Sequence, residues 1–432
     1  MHLKFRVLRE QVRSSLFYVP MLFVIGGFAL GQLALAIDER VHHVGPILAA
    51  TVDSARAVLS IVAGATISFA GIAFSVSLLL ISLSSSQYSP RVVHGLFRDP
   101  HNKRVMGVVI GTFTYCLIVL RAVRGPLEEA GQPVVPSISI ALAVVLGVVA
   151  ILSIIAFISH SAHTMDVSEI LHDVTEEALK SIRSQWSKVD EESDAAGAIE
   201  SLGDDAFAIE FDRDGWVQEV DTDGLLAAIA PGTTLELETV PGRYAIPGTP
   251  IARVLPAPED PKALCRAVRG AVSVGRTRTM RGDPTYGVRL LADVALKALS
   301  PGINDPTTAQ DAMFHLGTLV RELLSRSAPA RRRVGDRGRV VLLADNVTHR
   351  EVVTLAFDEV RLASAGQPTV QIYLLELLRL LLVALKDAPT ETIAALRQQA
   401  ELIADLNDRA DLPDADRDRV TAAFVHRFGD RK

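Results

Sequence analysis

Four long apolar stretches, all of them before residue 160, set the strongest limit on how this chain can fold. Each meets or approaches the roughly 17–25 apolar residues that a helix needs to cross a bilayer. They are Leu16–Ile37, Ala57–Leu83, Val105–Leu120 and Ile138–Ile158. The first stretch is too long for a signal peptide, lacks a small-residue cleavage site and is followed by three more apolar stretches. The sequence therefore predicts four transmembrane helices.

The positive charges predict the orientation of these spans. The N-terminal arm and the second loop together carry eight Lys or Arg residues, whereas the first and third loops carry four. Positive residues concentrate on the cytoplasmic side of a membrane, so we expect both termini to be cytoplasmic. The two cysteines, Cys116 in a span and Cys265 after the spans, indicate no disulfide framework.

The rest of the 432-residue chain predicts a cytoplasmic α+β region. No Gly or Pro occurs between Gly147 and Gly197, so the fourth span can continue as a helical stalk to about Trp186. Alternating apolar residues then predict a small β-barrel-like module. Helical spacing dominates from Lys262 onward, with one strand at Arg339–Ala344. The predicted domains are an N-terminal arm (1–14), a four-helix transmembrane domain (15–160), the stalk (161–200), the β-rich module (201–260) and a mainly helical domain (261–432).

Small residues follow one face of the second span. On a helix that advances about 100° per residue, they fall within an arc of about 80°. Such a face permits close packing against another helix, or it can line a wet axis with Leu78 as a hydrophobic constriction. The candidate pore-lining residues are Ser60, Gly64, Ser68, Gly71, Ser75, Leu78 and Ser82.

Two glycine pairs in other spans have the spacing that lets helix backbones approach closely. They are Gly27 with Gly31, and Gly107 with Gly111. The spacing predicts self-association of the protein, and packing within one four-helix subunit explains it equally well.

The segment Gly275–Ala312 contains the most individual motif of the soluble region. In SPGINDP, Asp305 is suited to cap a helix that begins at Pro306, and Asn304 suits a turn with positive φ. The alternative is a site for an ion or small anionic ligand at this helix N-terminus. Its candidate residues are Arg276, Arg278, Arg281, Asp283, Asn304 and Asp305.

The loop after the second span contains a candidate hinge. Pro90 is expected to end the long span, and Arg91 lies where a basic side chain reaches the lipid headgroups. Tyr88 belongs to the same QYSPR motif. The segment is interpreted as a membrane-surface hinge, with a gate or a contact to the cytoplasmic domain as the alternative.

Charge is divided unevenly along the cytoplasmic region. Between Asp166 and Asp260 there are 22 acidic and 6 basic residues, whereas between Lys262 and Arg339 there are 15 basic and 6 acidic residues. Opposite surfaces of one domain or of neighbouring subunits would attract each other. An acidic vestibule that concentrates cations is the other interpretation.

Three motifs carry a resemblance to a known family. QYSPR, PGRYAIPGTPIARV and RTMRGDPTYGVRLLADVALKALSPGINDPTTA resemble the bacterial integral-membrane family called domain of unknown function 2254. The resemblance covers nearly the whole chain and implies a multi-pass protein of the bacterial cytoplasmic (inner) membrane with a cytoplasmic C-terminal region. The chain departs from the expected phenylalanines at Tyr88, Tyr286 and Thr307. The family implies no settled activity.

Enzymatic and carrier functions are poorly supported. The sequence has no Walker A, GxSxG, HExxH or CxxC motif, and His160 with His163 lacks a third metal ligand. We therefore expect no catalytic residue, no cofactor and no metal. No lysine between residues 189 and 261 can carry a lipoyl group, and the basic part lacks a nucleic-acid motif. The spans contain no ionisable residue between their ends, which disfavours a proton-coupled carrier.

Two functions remain. The first is a homo-oligomeric, channel-like protein in which the second span lines a pathway and the cytoplasmic domain regulates it. The alternative is a membrane-anchored sensor or scaffold whose cytoplasmic domain binds a ligand or partner, without transport. The expected partners are further copies of the chain and the lipid bilayer, with ions or a small anionic ligand as further candidates.

Overall fold

The computed structural model describes residues 18–40, 51–87, 100–124, 135–163, 166–188, 201–203 and 205–430. The chain divides into two compact units, Met1–Glu169 and Ile170–Lys432. The first unit contains the apolar helices and the second contains the mixed α/β region.

The described part of the first unit contains four helices long and apolar enough to cross a membrane, as the sequence predicts. The second of them is the longest, with 36 residues, and exceeds the length that a bilayer requires. The helices are α1 (Tyr18–Arg40), α2 (Val52–Gln87), α3 (Pro100–Ala122) and α4 (Ser137–His163).

The closest helix contact in this unit joins α1 to α3 through glycines. A Cβ atom at Gly27 would overlap the carbonyl oxygen of Gly111, and one at Gly107 would overlap the ring of Phe23. Gly31 faces Ile118, which a Cβ would approach at 3.0 Å. These glycines therefore act within one chain. Packing within one subunit, which the sequence analysis gave as an equal explanation, accounts for this contact, and self-association stays a prediction.

A carboxylate from α1 caps the start of α4. Asp38 Oδ1 accepts from the amide of Ile138 at 2.9 Å, and Oδ2 accepts from the amide of Ser139 at 2.9 Å and from its hydroxyl at 2.6 Å. The hydroxyl of Tyr115 on α3 donates to the carbonyl oxygen of Ser139 at 2.9 Å. Because the first amides of a helix have no partner within the helix, Asp38 satisfies groups that α4 leaves open.

The strands of the second unit form open sheets. The five-stranded sheet has the order β2-β6-β4-β10-β9, the three-stranded sheet the order β5-β3-β7, and β1 pairs with β8. No closed sheet occurs among the described strands, so the expected barrel is not observed. The strands are β1 (Ser187–Lys188), β2 (Phe207–Glu210), β3 (Gly215–Val220), β4 (Thr234–Leu237), β5 (Tyr244–Ala245), β6 (Pro250–Leu255), β7 (Val272–Gly275), β8 (Arg326–Ser327), β9 (Arg332–Val334) and β10 (Val340–Leu342).

Sequence-distant strands complete the larger sheet. The strand β10 lies within the predicted Arg339–Ala344 segment and runs parallel to β4. It also pairs antiparallel with β9. The core beneath this sheet contains Ile209, Leu235 and Val341 from three different strands, together with Leu225 and Val268 from helices.

The described part of the second unit also contains nine α-helices, the first of which begins three residues before the unit. The first follows α4 after a break at Asp166, which lies in neither helix, and it buries Leu171, Ala178 and Ile182. The apolar helix α11 buries Leu374 and Leu378, as predicted for a core helix. The helices are α5 (Val167–Gln185), α6 (Thr222–Ala228), α7 (Pro261–Ala271), α8 (Thr285–Ala298), α9 (Pro306–Leu324), α10 (His349–Ala363), α11 (Pro368–Ala384), α12 (Thr390–Asp408) and α13 (Asp414–Phe428).

The glycine contact between α1 and α3 predicts that leucine substitutions at neighbouring positions differ strongly in their effect on stability. Gly27→Leu is expected to destabilise the protein by about 1–3 kcal/mol, because the side chain must displace the backbone of α3. Gly26→Leu is the matched control, since a Cβ at Gly26 meets nothing within 4 Å. Thermal unfolding of the full chain in detergent measures both variants. An equal loss of stability in the two would contradict the packing assigned to Gly27.

Candidate functional site

The small-residue face of α2 is exposed along its whole length. All seven candidate residues are solvent-exposed, namely Ser60, Gly64, Ser68, Gly71, Ser75, Leu78 and Ser82. The opposite side of α2 packs against α3 and α4 and buries Ala55, Leu59, Ala63, Thr66 and Ala73. The helix is therefore held by one face, and its small-residue face is not used within the described part of the chain.

The glycines of this face have open space in front of them. A Cβ at Gly64 or Gly71 would meet nothing within 4 Å, whereas one at Gly147 on α4 would meet the side chain of Val62 at 3.1 Å. Large exposed apolar side chains border the face on both sides, with Ile61 and Ile72 along one border and Ile67 and Phe74 along the other. The surface is thus a shallow groove between two apolar ridges, which we call the α2 groove.

The serine hydroxyls of the α2 groove are hydrogen-bonded to their own helix. Ser68 donates to the carbonyl oxygen of Gly64 at 2.8 Å, and Ser75 donates to that of Gly71 at 2.9 Å. These bonds lower the cost of placing a hydroxyl in an apolar environment, because the proton has an acceptor. The oxygen lone pairs remain on the groove surface and can accept from water or from a neighbouring group.

Three residues of the predicted hinge lie outside the described part of the chain. Tyr88, Pro90 and Arg91 fall between residues 87 and 100, where the structure describes nothing. The hinge predicted for this loop therefore stays a prediction.

In the second unit, Arg278 and Asp283 form an ion pair in the RTMRGDPT motif. Arg278 Nε donates to Asp283 Oδ2, and its Nη2 donates to the hydroxyl of Thr285 at 3.1 Å. Asp283 is only 4% exposed, and its Oδ1 accepts from the amide of Thr285 at 3.1 Å and from its hydroxyl at 2.7 Å. The buried carboxylate is thus fully engaged, and we call this arrangement the Arg278 clamp.

Aromatic residues enclose the guanidinium of the clamp. Its central carbon lies 5.2 Å from the ring centroid of Tyr286 and 5.9 Å from that of Trp216 on β3. Both distances fit cation–π contacts. Gly242, which has φ at +88°, packs closely against the ion pair of Arg278 and Asp283. A Cβ atom at this position would overlap the Asp283 carboxylate. The motif PGRY therefore packs directly on the motif RGDP.

The loop that carries the clamp also holds α5. Ser181 donates to the carbonyl oxygen of Met280, and Gln185 Nε2 donates to that of Arg281 at 2.7 Å. Gly287 on α8 packs closely against Ala178 on α5. A Cβ atom at Gly287 would overlap the Ala178 methyl group. The clamp thus lies where α5, α8 and the three-stranded sheet meet.

The GINDP turn is a helix cap. Asn304 has φ at +49°, and Asp305 Oδ1 accepts from the amides of Thr307 and Thr308 at 3.1 and 3.0 Å. The Thr308 hydroxyl donates to Asp305 Oδ2 at 2.6 Å, and this bond is the largest cause that lowers the Asp305 pKa. No arginine is among the causes of that shift. The capping interpretation accounts for the geometry.

The structure separates the three candidate arginines. Arg278 belongs to the clamp, and Arg281 Nη1 lies 3.7 Å from Glu219 on β3. Arg276 is exposed. The structure gives the candidate anion site no cluster around Asn304 and Asp305, so a ligand role for that turn stays a prediction.

The structure contains one cluster of ion pairs that the sequence analysis does not predict. Glu322 on α9 is only 5% exposed and pairs with Arg183 at 3.0 Å, Arg321 at 3.1 Å and Arg326 at 2.8 Å. Burial raises the pKa of this carboxyl, but hydrogen bonds from Arg183 and Arg326 outweigh that effect and leave the pKa below its ordinary value. The four-residue spacing of Glu322 and Arg326 was the available signal, although Arg326 lies on β8, just beyond the end of α9. No local pattern indicates the partner Arg183, because it lies 139 positions away in the sequence.

Metal chemistry finds no support in the described residues. They contain no group of three or more His, Cys, Asp or Glu side chains placed to hold a metal ion. The ring of His160 instead contacts that of His101 in a tilted arrangement, with ring centroids 4.5 Å apart. Both cysteines are free.

The comparisons with known proteins agree with the membrane character of the chain. A family model described as predicted membrane protein (domain of unknown function 2254) matches residues 13–380. An uncharacterized protein of Mycobacterium bovis is 28% identical over 377 residues, which cover 83% of this chain and 71% of that protein. An uncharacterized protein of Mycobacterium tuberculosis strain H37Rv matches with the same identity and coverage. No solved structure matches the chain.

The Asp305 cap predicts a specific order of variants. Asp305→Ala is expected to lower the free energy of unfolding by about 0.5–2 kcal/mol, and Asp305→Asn much less, because asparagine still accepts from the helix amides. Since folding lowers the Asp305 pKa, its ionised form adds stability above about pH 4, and this is lost as the pH falls further. Denaturant unfolding at pH 7 and pH 3 measures both effects. Normal stability of both variants would contradict the capping account.

Proposed function

The chain belongs to the membrane-protein family called domain of unknown function 2254, and from that premise we propose that it is a homo-oligomeric, channel-like protein. Copies of the chain surround a pathway that the α2 groove lines, and the cytoplasmic region regulates it. The proposal places the protein in the bacterial cytoplasmic membrane with both termini in the cytoplasm. Its partners are further copies of itself and the bilayer, and its permeants are ions or small solutes.

The observation that carries this proposal is the exposure of the α2 groove. The helix buries one side against α3 and α4, and the side directly opposite presents small residues and hydroxyl oxygens. Lipid chains cover large apolar side chains well, but a strip of serine and glycine offers them little contact area. A second helix or a column of water complements such a strip better than lipid does. Rotational symmetry would bring equivalent α2 grooves together around one axis.

The chemistry of the groove favours passive conduction over coupled transport. Every residue of the groove is uncharged, so it offers no site for proton or ion coupling. Leu78 is its only bulky member, and it is 51% exposed. A ring of leucines at this level would close the pathway by excluding water, as hydrophobic gates do.

The principal alternative is a membrane-anchored sensor or scaffold without transport. It is supported by the bonds of Ser68 and Ser75 to their own helix, which make the groove suitable for a dry helix contact. In that case the Arg278 clamp and its surroundings would form the part that responds to a ligand or partner.

A flux measurement distinguishes the two functions. The purified protein in liposomes is expected to conduct under voltage, membrane tension or a pH gradient. Leu78→Ser is expected to raise basal flux at least about tenfold, since a hydroxyl allows water into the constriction. Leu79→Ser is the matched control, because Leu79 is similarly exposed, at 58%, but lies about 100° around the helix.

Two results would contradict the channel proposal. One is the absence of flux from the natural protein and from Leu78→Ser under every stimulus, although both reconstitute and remain folded. The other is an equal rise of flux in Leu78→Ser and Leu79→Ser, which would indicate a general leak rather than a gate. Either result favours the scaffold.

A further inference from the structure

The five-stranded sheet ends in a basic strand with a free edge. In the described part of the chain, β9 has β10 on one side and no strand on the other. The carbonyl oxygen of Arg331 accepts from Leu343 at 2.6 Å, and the amide of Gly335 donates to Arg339 at 2.9 Å. Because backbone groups alternate along a strand, those of Arg332 and Val334 point away from β10. The free edge therefore presents backbone donors and acceptors.

The side chains of this edge define the charge of its partner. Arg332, Arg333 and Arg337 are exposed, and Val334 is 61% exposed. Two copies of β9 placed edge to edge would bring arginines against arginines, which is unfavourable. The arginines thus prevent pairing with a like strand and favour an acidic one.

The opposite end of the same sheet is an acidic edge. The carbonyl oxygen of Ile251 on β6 accepts from Glu238, on the side toward β4, so the backbone groups of Ala252 face β2. Ile209 is paired with Ala252, so its backbone N–H and C=O point toward β6. Those of Ala208 and Glu210 therefore point away from the sheet. Arg269 already occupies the carbonyl oxygen of Glu210 at 2.8 Å. Among the described residues, the carbonyl and amide of Ala208 and the amide of Glu210 have no assigned partner.

Acidic side chains surround this second edge. Asp205, Glu210, Asp212 and Asp214 are all exposed. Asp212 lies near Arg213 and Arg269, at 3.5 and 3.9 Å, so its charge is partly compensated. The edge keeps a net negative charge and suits the basic strand at the other end of the sheet.

We propose that β9 of one copy of the chain pairs with β2 of the next copy, so that the five-stranded sheet continues from subunit to subunit. The contact joins different surfaces, and such head-to-tail contacts close into rings when the rotation allows it. The inference rests on the proposed function, because a pathway along a symmetry axis requires a ring of copies. In this arrangement, a contact within the cytoplasmic region determines which surfaces of neighbouring subunits meet in the ring.

The contact is weak by itself, which suits a membrane protein. It consists of a few backbone hydrogen bonds and some exposed charge pairs, and each of these contributes little net free energy in water. Copies held in one membrane have a high effective concentration, so a weak contact becomes sufficient. The same contact between soluble fragments would be lost on dilution.

Disulfide cross-linking between two cysteine variants tests this contact. In a full-length background with Cys116→Ser and Cys265→Ser, Ala208→Cys and Arg332→Cys are placed on separately tagged copies and co-expressed. Mild oxidation is expected to give a cross-linked pair that contains both tags. The two positions lie at opposite ends of a sheet, roughly 19 Å apart at about 4.8 Å per strand, so they cannot join within one chain. Arg419→Cys on α13 replaces Arg332→Cys as the exposed control.

Charge reversal tests the basis of the contact. Arg333→Glu on the Arg332→Cys copy is expected to lower the cross-linked yield several-fold, and Glu210→Arg on the Ala208→Cys copy is expected to restore it. An unchanged yield with Arg333→Glu would contradict the electrostatic argument. A cross-link formed by Arg332→Cys copies alone would show β9 against β9 and overturn the proposal.

The oligomeric mass of the same samples separates the possible failures. If the protein is oligomeric and conducts but the mixed pair does not cross-link, the strand contact is wrong and the proposed function stands. If the protein is a monomer in detergent and in liposomes, the strand contact and the proposed function are both wrong.

Discussion

Close approach between α1 and α3 at Gly27 and Gly111 is the contact on which the membrane unit depends. Apolar side chains gain little by leaving lipid for one another, so helices in a bilayer associate where their surfaces fit. The missing side chains at Gly27 and Gly111 bring two backbones together, and Phe23 fills the space above Gly107. At the end of α1, Asp38 caps α4. One helix thus positions two others, and these cover one side of α2.

The exposed side of α2 follows from this arrangement. Its buried residues pack against α3 and α4, and nothing in the described unit covers the opposite face. In the second unit, the Arg278 clamp has a comparable organising role, because its loop contacts α5 and its guanidinium contacts β3 and α8. A structural role accounts for this family motif without a ligand. The channel proposal therefore depends on the membrane helices and not on the clamp.

Local patterns in the sequence were sufficient to predict the elements but not their contacts. Hydropathy predicted the four long helices, and Asp305 with Pro306 predicted a cap that the structure contains. The spacing of Gly27 and Gly31 indicated a close helix contact, but spacing alone does not say whether the partner is in the same chain. The barrel expectation failed because β10, from residues 340–342, extends the sheet beside β4. The ion pair of Glu322 with Arg183 joins residues 139 positions apart, a distance at which local patterns carry no information.

The central claim is that the α2 groove faces water along an axis between copies of the chain. Its most direct test is a cysteine scan of residues 60–82 in a background without Cys116 and Cys265, with a membrane-impermeant thiol reagent. The account predicts labelling at Ser60, Gly64, Ser68, Gly71 and Ser75, and protection at the lipid-facing borders Ile61 and Ile72. Uniform protection of the groove in every state tested would contradict it and would make the groove a dry packing surface.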